Sequence, residues 1–436
     1  MAERCLVLGS GCASMESIKA ARESGFGGEI YMLSDSALPS YNPMLITYYA
    51  AGKIDYGALF PYGDGDDFYD KYEVVRHSGS PVVRLDTEKR IVQNAKGMAL
   101  KYGKCLIATG AAPVVPEPFS GVRDKVVTLR TVDDAVRFKG LLDSGKKRAL
   151  VVGASMVGIK AVEALVDAGF SVTLTDFADS IFPQAAHKNC SEMIQGILRE
   201  KEVKLLFGKT AEKVEAGPDG FNVFFTGSSA AGSGAAGNKD HMAVDHIIVC
   251  VGVRPNISFV DPLQVKADKG ILVNRYMETS AEGVYAAGDV CQSLDISRGD
   301  QQVFGLLANA RLQGRIAGEN IAGKRSRHAG TLPHNITRFF DNDFVGIGNV
   351  NDGDRVRVYE DVSEVNKRYL RLAFENNRLT GVNLLNIPEI SGILKYHLTK
   401  GLTAENALDE LKNNNFAMSK LYGKFPGIEN AVLERR

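Results

Sequence analysis

Two glycine-rich turns constrain this chain more than any other feature. The first, Gly9-Ser10-Gly11-Cys12-Ala13-Ser14, follows the apolar run Cys5-Leu6-Val7-Leu8. The second, Gly153-Ala154-Ser155-Met156-Val157-Gly158, follows Ala149-Leu150-Val151-Val152. Each opens a stretch with helical patterning. Each is then followed by an apolar strand that ends in an acid, Tyr31-Met32-Leu33-Ser34-Asp35 and Val172-Thr173-Leu174-Thr175-Asp176. A strand, a glycine turn, a helix and an acid about 20 residues on make up the fingerprint of a dinucleotide site. One such turn is a weak signal. Two, each with its acid, imply two parallel α/β sheets and two bound dinucleotides between which electrons can pass.

The glycines act by what they lack. Gly9 permits the tight turn, and Gly11 lets the backbone approach a pyrophosphate that the helix N-terminus stabilises. Asp35 and Asp176 are expected to accept ribose hydroxyls. In the second turn Ser155 takes the middle glycine's place and is small enough to keep the approach. In the first, Ser14 stands where a third glycine would serve close helix–strand packing.

A length of 436 residues suggests about two to four domains. The pattern predicts a helix over 14–24 stopped at Gly25, and a helical turn over 46–51 stopped at Gly52. Residues 55–72 mix Tyr and Phe with Asp and read as a surface loop anchored by a few rings. Residues 73–108 are β-rich, and 113–118, with three prolines, read as a crossing between domains. A helix is expected over 132–142. The small residues of 227–238 read as a hairpin tip between strands 221–225 and 246–251. Two short strands within 270–290 precede a helix over 306–321. Strands 368–374 and 379–384 and helices 389–399 and 403–413 then form a third domain.

Lys+Arg and Asp+Glu number 52 each. No global field therefore draws the chain to nucleic acid or an acidic membrane. No apolar run approaches the roughly 18 residues of a spanning helix. The first strand begins by Cys5, which leaves no room for a secretory leader, so a cytoplasmic protein without membrane insertion is expected. The six cysteines have neither CxxC nor CxxxxC spacing, and the seven histidines show no ligand spacing. No metal site is expected. Cys5, Cys105 and Cys250 read as buried small hydrophobes, whereas Cys12 and Cys291 fall inside the nucleotide motifs.

Further motifs carry a family resemblance. Ala108-Thr109-Gly110-Ala111-Ala112-Pro113 resembles the ATG-x-x-P segment of FAD- and NAD(P)H-dependent enzymes of the pyridine nucleotide-disulfide oxidoreductase fold. Val251-Gly252-Val253-Arg254-Pro255-Asn256 resembles their G-x-R-P-N segment, and Val284-Tyr285-Ala286-Ala287-Gly288-Asp289-Val290 resembles their second FAD motif. Within the family, Tyr41-Asn42-Pro43-Met44-Leu45 and 158–165 look closest to NADH:rubredoxin reductases and the FAD domain of nitrite reductases.

The resemblance implies two Rossmann-like three-layer domains, one for FAD and one for NAD, plus a C-terminal α+β interface domain. The expected division is 1–118 and 254–325 for FAD, 119–253 for NAD and 326–436 for the interface domain. It implies hydride transfer between nicotinamide and flavin N5. Gly9, Gly11, Cys12, Ala13, Ser14, Ser34, Asp35, Asn42, Pro43, Val83, Ala108, Thr109, Gly110, Gly288 and Asp289 are the residues expected at FAD. Gly153, Ala154, Ser155, Met156, Val157, Gly158, Asp176 and Gly252 are those expected at NAD. Lys160, where many relatives carry Glu, is the catalytic candidate, either at the nicotinamide or paired with an acid.

Met44 stands where some branches carry a redox cysteine. A thioether forms neither a thiolate nor a disulfide, so a thiol relay is not expected. The expected function is NADH oxidoreduction through FAD with an electron-carrier protein (rubredoxin- or ferredoxin-like) or an iron–sulfur subunit. That includes service as the NAD-reducing subunit of a larger complex. A thiol-independent NADH oxidase and an NADH-sensing flavoprotein are the alternatives, and a homodimer stays open.

Overall fold

The computed structural model describes residues 3–227, 241–350 and 356–401. They form two compact units, one of residues up to 178 together with 201–331, the other of 179–200 together with 332 onward.

The first unit contains two parallel sheets. In the first lobe β1 (Arg4–Leu8), β2 (Glu29–Leu33), β3 (Val74–His77) and β4 (Lys104–Ile107) are joined by Val284–Ala286. The order is Val284–Ala286, β4, β1, β2, β3, with every pairing parallel. Four of the five residues of β1 are buried, as expected of a parallel strand covered on both faces. Helix α1 spans Cys12–Glu23, with Ser24 as C-cap, and is followed by Gly25, whose φ of +91° no bulky residue adopts cheaply. It starts two residues earlier than its sequence pattern suggested, because Gly11 is itself the N-cap. Helix α2 is Ile46–Ala50. The 55–72 segment contains a 3-10 turn, Tyr56–Leu59, and a short helix, Asp67–Lys71, with Phe60, Tyr69 and Tyr72 buried as its anchors.

Helix α3 (Val132–Leu142) opens on a capping box between Thr131 and Asp134. The second lobe follows with β5 (Arg148–Val152), α4 (Met156–Asp167), β6 (Ser171–Asp176), β7 (Lys204–Phe207) and β8 (His246–Val249). The sheet order is β7-β6-β5-β8, all parallel. One expectation is corrected here. The hairpin partner of Gly220–Gly227 is not β8 but the separate strand His241–Val244. Strand β8 pairs with β5 instead, because its buried Ile247, Ile248 and Val249 suit a two-sided core. Residues 228–238 of the expected hairpin tip lie outside the described residues.

Helix α5 (Leu307–Ile321) returns against α1. Gly314 and Gly318 face α1, where a Cβ would stand 2.2 Å from the Ala13 carbonyl and 2.1 Å from that of Ser17. Close packing thus falls to glycines on α5, which explains how Ser14 is tolerated on α1.

The second unit has a five-stranded antiparallel sheet in the order His334–Phe339, Asn342–Gly348, Arg378–Leu385, Arg368–Glu375, Val356–Ser363. Its core includes Val345, Leu372, Val382, Leu384 and Leu394. Residues 179–200, inside the segment expected for NAD, belong here. The His187 N–H donates to Asn383 at 2.7 Å, and Asn189 donates to Glu360 at 3.0 Å. The expected helix 389–399 is a 3-10 turn, Pro388–Ile390, followed by the helix Ser391–Lys400. The expected helix 403–413 lies outside the described residues. Among the described residues no helix is long and apolar enough to cross a membrane.

Candidate functional site

The first glycine turn leaves β1 at Gly9, whose φ is +108° and where a Cβ would stand 2.2 Å from the Ala108 carbonyl. Only glycine fits there. A Cβ on Gly11 would meet nothing within 4 Å, and no side chain caps the first turn of α1. A side-chain-free turn over an uncapped helix start suits a pyrophosphate, which takes up the free N–H groups. Ala13 and Ser14 are buried, so their contribution to such a ligand is through the backbone. Cys12 opens the helix. The Ser34 hydroxyl lies 2.8 Å from that of Ser10 and accepts the Ser36 N–H at 3.1 Å, shaping the turn that presents the exposed Asp35.

The two later motifs lock together across 147 residues of sequence. The Thr109 hydroxyl donates to the Asn256 carbonyl at 2.8 Å, and the Asn256 amide donates to the Thr109 carbonyl at 3.0 Å. The Asn256 N–H donates to the Gly110 carbonyl at 3.0 Å, and Ala111–Pro113 pairs antiparallel with Val253–Pro255. The strand Val284–Ala286 delivers Gly288, whose N–H donates to Gln313 at 2.9 Å. Asp289 beside it accepts from Arg130 at 2.7 Å.

Arg130 is a residue that sequence reasoning missed. It sits at the helix boundary before Thr131, where periodicity carries no signal, and its N–H is held by Asp134 at 3.0 Å. Its guanidinium would lie 3.8 Å from a Cβ on Gly110, so it joins the ATG segment to Asp289. Asn42 next to Pro43 accepts the Met44 N–H at 3.0 Å, and Met44 itself is exposed. Val83 is exposed.

The second turn repeats the strand geometry but not the helix start. Gly153 has φ +109°, and a Cβ there would stand 2.4 Å from the Cys250 carbonyl. Gly158 packs where a Cβ would stand 2.0 Å from the Gly153 carbonyl. Ser155 is the N-cap of α4. Its hydroxyl accepts the Gly158 N–H at 3.1 Å and donates to the Cys250 carbonyl at 2.8 Å. Met156 and Val157 are the first helical residues, and Gly252 (φ +112°) faces open space. Asp176 accepts the Ala154 N–H at 2.7 Å and the Ala178 N–H at 2.9 Å, which fixes its carboxylate at the turn.

Lys160 is ion-paired with Glu163 on its own helix. Glu163 also binds Lys53 at 3.2 Å, and the Lys160 ammonium lies 4.6 Å from the centre of the Tyr48 ring. The lysine therefore sits where α2 of the first lobe meets α4 of the second. All six cysteines are free thiols. Burial pushes the Cys12 thiol up to about 11 and those of Cys5, Cys250 and Cys291 up to about 12; it raises Cys105 and Cys190 as well.

Fold and site define a protein built around two glycine turns, each at the carboxyl edge of a parallel sheet. The model of the pyridine nucleotide-disulphide oxidoreductase family matches residues 3–314, and the chain belongs to that family. Members of the family use FAD and NAD(H).

The chain is similar to the epsilon subunit of the NADH-dependent phenylglyoxylate dehydrogenase of Aromatoleum evansii. The two are 29% identical over 382 residues, covering 86% of this chain and 87% of that one. It is also similar to the NADH-rubredoxin oxidoreductase of Clostridium acetobutylicum, at 24% identity over 94% of this chain and 99% of that one. The reductase in the covalent putidaredoxin reductase–putidaredoxin complex shares the fold, with a TM-score of 0.84 at 21% identity, covering 95% of this chain and 99% of that one.

Proposed function

We propose that this chain moves electrons between NAD(H) and a protein-borne redox centre through FAD, without a thiol relay. The observation that carries the reading is the state of the sulfur. Every cysteine is free, and burial holds each thiol in its protonated form well above neutral pH. A protonated, desolvated thiol is a poor nucleophile. Met44 supplies no alternative.

FAD, when bound, accepts a hydride as an electron pair and can release the electrons singly, which suits an iron–sulfur or rubredoxin-like acceptor. The chain's own residues bind and orient. Gly9, Gly11 and the α1 start take the pyrophosphate, Asp35 takes the ribose, and the Arg130–Asp289 pair takes the ribityl–pyrophosphate end. Gly153, the α4 start and Asp176 take NAD(H). Lys160, held by Glu163 and Tyr48, places a positive charge between the two lobes. Similarity to a subunit of an NADH-dependent dehydrogenase over 87% of its length supports a place in a larger complex, with electrons running to NAD⁺ or from NADH.

Anaerobic titration with NADH, followed by mixing with a ferredoxin or rubredoxin, tests this. The expected endpoint is about one NADH per FAD, with reoxidation by the carrier much faster than by oxygen. An endpoint near two equivalents would place a disulfide in the path. A reduced complex that persists with every acceptor would favour the sensor reading.

A further inference from the structure

We propose that Phe177 is the stacking platform for the adenine ring of the pyridine dinucleotide, and that it makes this site selective for a dinucleotide over a mononucleotide. The proposal rests on the reading of the second cradle as the NAD(H) site. Phe177 is 79% exposed, the most exposed phenylalanine or tyrosine among the described residues. An aromatic side chain left in water forgoes the burial that otherwise stabilises it, so its exposure at a ligand-binding edge points to a flat ligand.

The backbone on either side of the ring is fixed by its neighbours. Asp176 before it is held by the Ala154 N–H, and Ala178 after it both donates to Asp176 and accepts from the Gly208 N–H at 3.0 Å. Strand β6 carries Phe177 past its carboxyl end, next to β5, which leads into Gly153, and β5 in turn adjoins β8. Two more exposed apolar residues occupy this edge, Val157 in the first turn of α4 and Val251 just beyond β8. A charged or polar ligand portion would find no partner in these three side chains; a purine would. A ribose held by Asp176 carries its base one covalent bond away, and Phe177 is the next residue in the chain. A nicotinamide mononucleotide has no base at that end and would leave Phe177 exposed.

The test uses the FAD-loaded protein under anaerobic conditions, with flavin reduction followed by stopped flow. Wild type, Phe177→Ala and Phe177→Tyr are compared with NADH and with reduced nicotinamide mononucleotide. ADP-ribose serves as a non-reducing competitor. Base–aromatic stacking predicts that Phe177→Ala raises the half-saturating NADH concentration and the ADP-ribose inhibition constant about tenfold. It predicts that the preference for NADH over the mononucleotide falls by the same factor, and that Phe177→Tyr restores both. An unchanged ADP-ribose constant in Phe177→Ala would overturn the proposal, as would an equal loss with dinucleotide and mononucleotide. Failure of the underlying reading looks different, because wild-type flavin would then be neither reduced by NADH nor protected by ADP-ribose.

Discussion

Substituting Gly314 by alanine sets two physical effects against each other, and the sign of the result decides between them. Gly→Ala inside a helix normally stabilises by about 0.5–1 kcal/mol through lower backbone entropy in the unfolded chain. Gly140 in α3 is the reference case, since it is exposed and its Cβ would meet nothing within 4 Å. At Gly314 the new Cβ would stand 2.2 Å from the Ala13 carbonyl. Relieving that contact requires α5 and α1 to part by about 1 Å in an interior packed to crystal-like density. Overpacking of this kind costs about 1–3 kcal/mol, which outweighs the propensity gain. Because Ala13 belongs to the first glycine turn, the same displacement moves the start of α1.

Gly140→Ala should therefore raise the urea midpoint, with its flavin content unchanged. Gly314→Ala should lower the midpoint by about 1–2 kcal/mol equivalent and lose FAD on gel filtration. A Gly314→Ala protein at least as stable as wild type, with full flavin, would refute the claim that this helix contact positions the first cradle.

Asp176→Ser removes the charge that opposes a 2′-phosphate, and residues 177–187 contain no Lys or Arg to attract one. The ratio of kcat/KM for NADH over NADPH should fall about tenfold or more, and an unchanged ratio would count against Asp176 as the discriminator. Ser155→Gly frees the Gly158 N–H that the serine now accepts, so ADP-ribose should bind severalfold tighter; weaker binding would mean that the serine itself contacts the ligand. Burial lowers the pKa of His334 to about 4, and Nε2 is buried without a partner. The unfolded chain, with the ordinary value of 6.5, then binds more protons between those limits, so this contribution is full above pH 6.5 and declines as pH falls toward 4. Replacing His334 by glutamine should flatten the fall in urea midpoint between pH 6.5 and 4.5, and equal slopes would exclude the histidine as its source.

What the sequence made legible was local. Periodicity and glycine placement located α1, α2, α3 and α5 to within two residues, because each ends where Gly or a capping pair interrupts a regular pattern. The two glycine turns were legible for the same reason, since a positive φ beside a backbone carbonyl admits one residue type. The strand His241–Val244 was not separated from β8, because a single intervening residue, Asp245, divides two strands that belong to different sheets. Arg130 and Glu163 escaped notice because their roles are set by partners far away in sequence. Asp289 lies 159 residues from Arg130, and Lys53 lies 110 from Glu163. A lone arginine before a helix, or one more acid on a helix face, has no pattern until the fold supplies the partner.

The two helix starts differ in a way that matches the two duties assigned to them. Both strands end in a glycine that nothing else could replace. Beyond it, α1 begins on a bare glycine with no side-chain cap, whereas α4 begins on a serine that already takes one N–H. The four N–H groups of a helix start are a fixed supply, and each one bound to a side chain is one fewer for a phosphate. On the proposed assignment, the uncapped start would hold a pyrophosphate more tightly and depend on it more for its own stability. That suits a cofactor that stays through every turnover. The capped start is complete when empty, which suits a dinucleotide that must arrive and leave with each electron pair. The serine that weakens the second fingerprint as a pattern thus strengthens it as an exchangeable site.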